Sequence, residues 1–253
     1  MVARLRAAGC VFAEDEAALL AGAAGTGAEL AAMVARRVAG EPLEQVLGWA
    51  EFCGLRIAVE PGVFVPRRRT ELLAREASAL ARPGAVVLDL CCGSGALGAA
   101  VAAAVEGVDL HAADIEPAAV RCARRNLAAV GGARVYEGDL FDPLPARLRG
   151  RVDVLLANVP YVPTGEVGRM PPEARDHEPR RALDGGADGL DVLRRVAAAA
   201  PAWLAPGGSL LSETSERQAP AAVAVLAAAG LAPRVAEDDD LGATVAIGAR
   251  PTG

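Results

Sequence analysis

Through residues 2–40, apolar side chains recur at three- and four-residue intervals, at Leu19, Leu20, Leu30, Met33, Val34 and Val38. That spacing lines one face of a helix. Glycines at 25 and 27 interrupt the run, so the segment is predicted to form two or three short helices, a small cap ended by Gly40-Glu41-Pro42. Beyond it the period shortens. Trp49 to Val59 reads as a hairpin, with Phe52 on one arm, Leu55, Ile57 and Val59 on the other, and Cys53-Gly54 at the turn.

From residue 85 onward, short apolar strands alternate with helical stretches. Strands are predicted at 85–90, 108–113, 133–136, 152–157, 208–213, 232–236 and 244–247, with helices near 96–105, 117–130, 190–203 and 219–229. Such alternation builds an α/β, doubly wound sheet with helices on both faces. No helix fits between residues 236 and 244, so the last two strands are expected to pair antiparallel.

Composition narrows the function classes. Hydrophobic residues make up 53 % of the chain, a figure inflated by alanine. No apolar run reaches the ~18 residues of a membrane span, so a soluble protein without a membrane partner is expected. Arg4 and Arg6 are followed by a short mixed stretch and then Glu14-Asp15-Glu16, which leaves no apolar core for a signal peptide. The five cysteines, Cys10, Cys53, Cys91, Cys92 and Cys122, are odd in number and form no C-x-x-C pair. Neither a disulfide framework nor a metal site is expected, and a reducing cytoplasm fits. A net charge of −6 and 3 % aromatic residues argue against nucleic acid as the direct substrate, since both phosphate neutralisation and base stacking lack their residues.

The first sheet strand runs into Asp89-Leu90-Cys91-Cys92-Gly93-Ser94-Gly95-Ala96-Leu97-Gly98. Read literally, Gly93-x-Gly95-x-x-Gly98 is a dinucleotide fingerprint, and Asp114 follows Gly93 by 21 positions (114 − 93), near the spacing of an acid that grips ribose hydroxyls. An NAD-dependent oxidoreductase is therefore one candidate, and a tight turn without a ligand another. Asp89 tilts the choice toward S-adenosyl-L-methionine. A carboxylate at the mouth suits that ligand's ammonium and sulfonium charges and repels a pyrophosphate. Asp114 with Ile115 ends the second strand, where the carboxylate can accept ribose hydroxyls or cap the helix begun by Pro117. In Gly138-Asp139-Leu140-Phe141, Asp139 can accept an adenine amino group and Leu140 can cover the ring.

The fourth strand ends in Asn158-Val159-Pro160-Tyr161. Ligands of open α/β sheets bind beyond the carboxyl ends of strands, which brings this turn beside the glycine loop. An amide or exocyclic amine is a weak nucleophile, so an enzyme must hold its nitrogen toward the methyl by accepting its N–H groups. The Asn158 side-chain oxygen is one acceptor, and a backbone carbonyl of the turn, stiffened by Pro160, is the other. Tyr161 offers a ring face to the target and to a nearby sulfonium. The same tetrapeptide also suits a simple Asx turn, and the same geometry serves an exocyclic amine in DNA adenine or ribosomal RNA guanine.

These segments together resemble the protein N5-glutamine methyltransferases, which modify the Gly-Gly-Gln loop of peptide chain release factors. Carrying the likeness are Gly40-Glu41-Pro42-Leu43, Val46-Leu47-Gly48, Pro61-Gly62-Val63-Phe64-Val65-Pro66-Arg67 with Thr70-Glu71, the loop from Asp89, Asp114, Gly138-Asp139-Leu140-Phe141 and the tetrapeptide. Glu178-Pro179, Ala182-Leu183-Asp184-Gly185-Gly186 and Asp188-Gly189-Leu190 are the most specific part, because other amine methyltransferases share the Asn-x-Pro-Tyr turn without them.

The resemblance implies a Rossmann-like, seven-stranded class I methyltransferase over residues 66–253, a helical substrate-docking cap at 1–45 and a hairpin linker at 46–65. It implies a cytoplasmic enzyme that takes its methyl from S-adenosyl-L-methionine and acts on a release factor. Cys91, Cys92, Gly93, Ser94, Gly95, Asp114 and Leu140 then line the cofactor, joined by Asp89, Ile115, Asp139 and Asn158. Asn158, Val159, Pro160 and Tyr161 bind the glutamine, with Asn158, Pro160 and Tyr161 at the catalytic centre and Pro66 and Arg67 beside the substrate.

The sequence departs from the family at several positions. Val159 replaces the first proline of Asn-Pro-Pro-Tyr, Cys91 stands at a usual glycine, and Arg68 replaces a proline. In the resulting Arg67-Arg68-Arg69, a solvated face is expected for the last two. Asp240-Leu241-Gly242 leads to Ala243-Thr244 without the family's arginine, and the helical cap is short. Because that cap helps hold the release factor, a different protein substrate, or a cofactor-sensing role without turnover, stays an alternative.

Overall fold

The computed structural model describes residues 1–252. Its front end is helical: α1 (Val2–Ala7), α2 (Ala13–Ala23), α3 (Gly27–Val38) and α4 (Leu43–Leu47). α3 opens on a capping box, in which Thr26 Oγ1 accepts the Glu29 N–H at 3.1 Å and Glu29 Oε2 accepts the Thr26 N–H at 3.0 Å. Two donors that the first helical turn leaves unpaired are thereby satisfied. Leu5, Leu20, Val34 and Val46 close a core belonging to this cap alone. Leu19, beside Leu20 in the apolar stripe, instead faces solvent together with Val11 and Phe12. The cap is fixed to the rest of the chain through Arg37, whose side chain is 6 % exposed. Its Nε donates to Glu16 of α2 at 2.6 Å and its Nη2 pairs with Glu173 at 2.7 Å.

The hairpin forms as expected from β1 (Trp49–Phe52) and β2 (Leu55–Ala58), turning at Cys53 and Gly54 with φ of 50° and 72°. Phe52 and Ile57 are buried in the core of the large domain. Asn126 fastens β2 from both sides: its Oδ1 accepts the Ala58 N–H at 2.9 Å, and its Nδ2 donates to Ala58 O at 2.9 Å and Ser94 O at 2.8 Å. The stretch predicted as a linker is therefore built into the body that it adjoins.

A helix not marked in the sequence pattern, α5 (Glu71–Leu80), precedes the sheet, its Leu72, Leu73 and Ala77 buried. There follow β3 (Val86–Leu90), α6 (Ala96–Ala104), β4 (Asp109–Asp114), α7 (Pro117–Asn126), β5 (Arg134–Glu137) and β6 (Val152–Ala157). Two short helices, α8 (Pro172–His177) and α9 (Arg180–Leu183), occupy the long connection to α10 (Asp191–Ala199). β7 (Leu204–Thr214), α11 (Ala219–Ala228), β8 (Ala232–Asp238) and β9 (Ala243–Ala249) complete the chain.

All seven predicted sheet strands form, in the order β5-β4-β3-β6-β7-β9-β8. β9 enters between β7 and β8 and runs antiparallel to both; the other neighbours are parallel. Alternate residues of each strand point to opposite faces. Val87, Leu110, Val154, Leu156 and Leu211 pack on one side with α5 and α6, while Leu88, Leu90, Leu155 and Leu210 pack on the other with α10 and α11. Helices thus cover both faces. The connections from β3 and β6 leave in opposite directions along the sheet, and such a switch point opens a crevice at the strands' carboxyl ends. Leu90 is the register partner of Ala157, so the residues that follow them, Cys91 and Asn158, start side by side.

Candidate active site

A cavity of about 430 Å³ fills that crevice. Its wall includes Cys91, Cys92, Gly93 and Ser94 of the glycine loop, Asp114 and Ile115 after β4, Asp139 and Leu140 after β5, and Asn158, Val159, Pro160 and Tyr161 after β6. Pro66 and Arg67 contribute from the front. Of the residues expected at the site, Asp89 and Gly95 are not in this wall.

Asp89 lies beneath the loop, fully buried, rather than at the mouth. Its Oδ2 accepts the Gly98 N–H at 3.0 Å, which anchors the start of α6, and its Oδ1 has no partner among the described residues. Burial pushes this carboxyl up to about 7, against the opposing pull of the Gly98 bond. Gly95 has φ 77°, and a Cβ there would stand 3.2 Å from Ala123 Cβ of α7. Its glycine identity serves the turn and the helix contact, not a ligand.

All three loop glycines have their N–H groups engaged by the protein itself: Gly93 with Asp114 Oδ2 at 2.8 Å, Gly95 with Cys92 O at 2.7 Å and Gly98 with Asp89. A pyrophosphate needs such donors free. It would also meet the Asp114 carboxylate in the wall, whose charge repels it. The fingerprint spacing is present without dinucleotide chemistry. Cys91 holds φ 53°, the left-handed conformation for which glycine is the usual residue. Burial raises its thiol well above the ordinary range, so it stays neutral.

The same wall fits S-adenosyl-L-methionine. Asp114 accepts one backbone N–H on each oxygen, from Gly93 and from Glu116 at 2.9 Å, which leaves lone pairs for a pair of ribose hydroxyls. Desolvation raises its pKa, opposed by those two bonds. Ile115 is 38 % exposed, large and apolar, and Leu140 at φ 47° faces the same space, so a flat ring finds a dry surface. Asp139 pairs with Arg195 at 2.7 Å.

On the floor, the half-buried Asn158 side chain has no hydrogen-bond partner among the described residues, and neither has Val159 O. Two acceptors on residues of the cavity wall are therefore unclaimed within the protein. Tyr161 donates its hydroxyl to Glu213 Oε1 at 2.6 Å. Burial, then the Glu213 charge, raises the phenol well above its ordinary value, so it remains protonated.

The turn is buttressed from behind by the specific glycine run. A Cβ at Gly185 would lie 2.6 Å from Pro160 O, and one at Gly189 only 2.2 Å from Tyr161 O. Only glycine permits this backbone-on-backbone approach, and Gly189 also has φ 80°. Gln218 Nε2 joins the two strands of chain, donating to Tyr161 O and Asp188 O at 2.9 Å each.

The front wall corrects one expectation. Arg69 is not simply solvated: its Nε pairs with the buried Glu213 at 3.0 Å, and its guanidinium lies 5.9 Å from the Tyr161 ring centre. Arg68 is exposed as expected. Arg67 pairs at 2.5 Å with the buried Glu178, which also accepts the Val65 N–H at 3.1 Å. Arg181 of α9 reaches Glu116 at 3.4 Å across the mouth. Glu213 escaped the sequence reading, although an acid closing the apolar run Leu210-Leu211-Ser212 was a signal for it.

The chain is similar to known methyltransferases. Residues 54–170 match the methyltransferase small domain family. Release factor glutamine methyltransferase of Geobacter sulfurreducens is 40 % identical over 227 residues, 88 % of this chain and 78 % of that protein. The 4-amino-L-phenylalanine/4-methylamino-L-phenylalanine methyltransferase of Streptomyces pristinaespiralis is 39 % identical over 204 residues, 78 % of this chain and 69 % of that protein. Among solved structures, a methyltransferase from Pyrococcus furiosus aligns with a TM-score of 0.58 at 17 % identity, covering 78 % of this chain and 90 % of that one, a likeness of fold.

Proposed function

The chain belongs to the release factor glutamine methyltransferase family, and from that premise we propose that it methylates the side-chain amide nitrogen (N5) of a protein glutamine, in a peptide chain release factor. The observation that carries this reading is the pair of unclaimed acceptors, Asn158 Oδ1 and Val159 O, at the end of β6 beside a wall suited to the methyl donor. S-adenosyl-L-methionine, when bound, supplies a methyl carried on a sulfonium. Asp114 would hold its ribose, Ile115 and Leu140 its ring, and residues 91–94 its remaining length.

Asn158 Oδ1 and Val159 O would each accept one N–H of the target amide, which fixes the direction of the nitrogen's third face. Orientation is the main contribution, because it converts an encounter into an aligned, near-unimolecular step. No base is required beforehand, since the nitrogen sheds its proton only after gaining the methyl. Tyr161, with its hydroxyl held by Glu213, presents a ring rather than an acid. Pro66 and Arg67 would flank the incoming peptide, and the exposed Val11, Phe12 and Leu19 suit the cap to protein docking. No helix among the described residues is long and apolar enough to cross a membrane, and a cytoplasmic location accompanies this substrate.

Nucleic acid is disfavoured by the pairing of the mouth arginines: Arg67, Arg69, Arg181 and Arg195 each face a carboxylate. A second reading, methylation of the aromatic amine of a free amino acid, draws on the likeness to the Streptomyces pristinaespiralis enzyme. The test is incubation with labelled methyl donor and, separately, purified release factors, 4-amino-L-phenylalanine and RNA. Mass spectrometry is expected to place the label on a release-factor glutamine; label confined to the amino acid or the RNA overturns the proposal.

A further inference from the structure

Glu213 occupies the carboxyl end of β7, in register with Val245 of β9, with its side chain 2 % exposed. A buried carboxylate is costly unless its lone pairs are filled. Three donors fill them, and all three come from residues in the cavity wall: Tyr161 Oη at 2.6 Å and Arg69 Nε at 3.0 Å on Oε1, and Thr70 Oγ1 at 2.5 Å on Oε2. Tyr161 belongs to the turn after β6, whereas Arg69 and Thr70 belong to the turn that starts α5. One side chain rooted in the sheet thus ties the floor of the cavity to its front wall.

We infer that Glu213 is a positioning residue for methyl transfer, fixing the place of the Tyr161 ring, and with it the space beside Asn158, through the hydroxyl bond. This rests on the glutamine methyltransferase reading. A phenol with its proton on Glu213 cannot donate to the substrate as well, so the ring is what the reaction meets. The hydroxyl oxygen lies on the ring's own long axis, so a bond to it leaves the flip about that axis to packing and stops the swing of the whole ring about Cα–Cβ. Glu213 cannot follow a moving ring, because Thr70 and Arg69 hold its two oxygens from the opposite wall.

The competing role is purely structural: an ion pair that holds the start of α5 against β7. The two separate in kinetics. For positioning, Tyr161→Phe and Glu213→Ala should each lower kcat about tenfold or more, with cofactor affinity within about twofold of the parent. The double variant should be little slower than the slower single one, since both changes break the same bond. Tyr161→Phe leaves the Arg69 and Thr70 bonds in place, so it tests the inference even where Glu213→Ala is too unstable to assay.

A Tyr161→Phe protein with the parent kcat overturns the inference, as do losses that multiply in the double variant. A parent protein that labels no release factor under the same conditions defeats the glutamine reading instead, so the two failures are distinguishable.

Discussion

Gly93 donates its backbone N–H to Asp114 Oδ2 at 2.8 Å. The loop after β3 is thereby held by the acid that ends β4, and the amide that a dinucleotide-binding loop would offer to phosphate is already bonded. One carboxylate thus helps shape the loop and also lines the cavity beside it.

Asp114→Ala removes both the ribose acceptor and the partner of Gly93. Affinity for S-adenosyl-L-methionine should fall about tenfold or more, while turnover at saturating cofactor falls less. Calorimetry measures the first, and it should detect no NAD binding to the parent protein. An unchanged dissociation constant, or tight NAD binding, contradicts this account of the wall.

Asn158→Ala removes an acceptor that nothing else in the chain uses. Turnover should drop about a hundredfold or more because the amide loses its orientation, with the cofactor dissociation constant within about twofold of the parent. Single-turnover transfer to a release factor is the measurement, and a variant with most of its rate intact removes Asn158 from its role.

Gly189→Ala places a methyl where Tyr161 O already lies 2.2 Å away, at a φ of 80° that disfavours any side chain. The cost should exceed about 2 kcal/mol of stability, seen as a lowered midpoint in urea. The Tyr161 carbonyl must move for the methyl to fit, so transfer should be impaired even in the fraction that folds.

Burial raises Asp89 from its ordinary 3.8 to about 7 in the fold, so the native state binds this proton more tightly than the unfolded chain. Its contribution to stability is complete below about pH 4 and is lost as pH rises through about 7, at most on the order of 4 kcal/mol. Urea titrations of the ligand-free parent and Asp89→Asn at pH 5 and pH 8 isolate it from other groups. The parent's stability relative to the variant should decline by about 2 kcal/mol over that interval, and a constant difference refutes the assignment.

Residues whose role is set by local chemistry were legible in the sequence. Asn158 and Asp114 each terminate an apolar strand, where a polar residue has only the crevice to face. The strands and helices of the sheet followed from alternation, and the antiparallel edge from a connection too short for a helix. What escaped depends on distant partners. Arg69 read as solvated because Glu213 lies 144 residues away, and Glu213 drew no attention because Tyr161 is 52 residues from it. Asp89 was expected to face the ligand, since its position in the motif does not reveal that Gly98 draws it under the loop. Gly185 and Gly189 were recognisable as a signature, but their reason, contact with the Pro160 and Tyr161 carbonyls, exists only in three dimensions.

Arg37 sets a lower limit on how far the amino terminus of this enzyme can be trimmed. Its guanidinium joins Glu16 of α2 to Glu173 of α8, and α8 leads through Glu178 and Arg181 to the contacts that close the cavity. Loss of α1 would spare this chain of contacts. Loss of α3 would leave Glu173 without its cation, so this helix is bound into the body that carries the cavity as well as into the cap's own core.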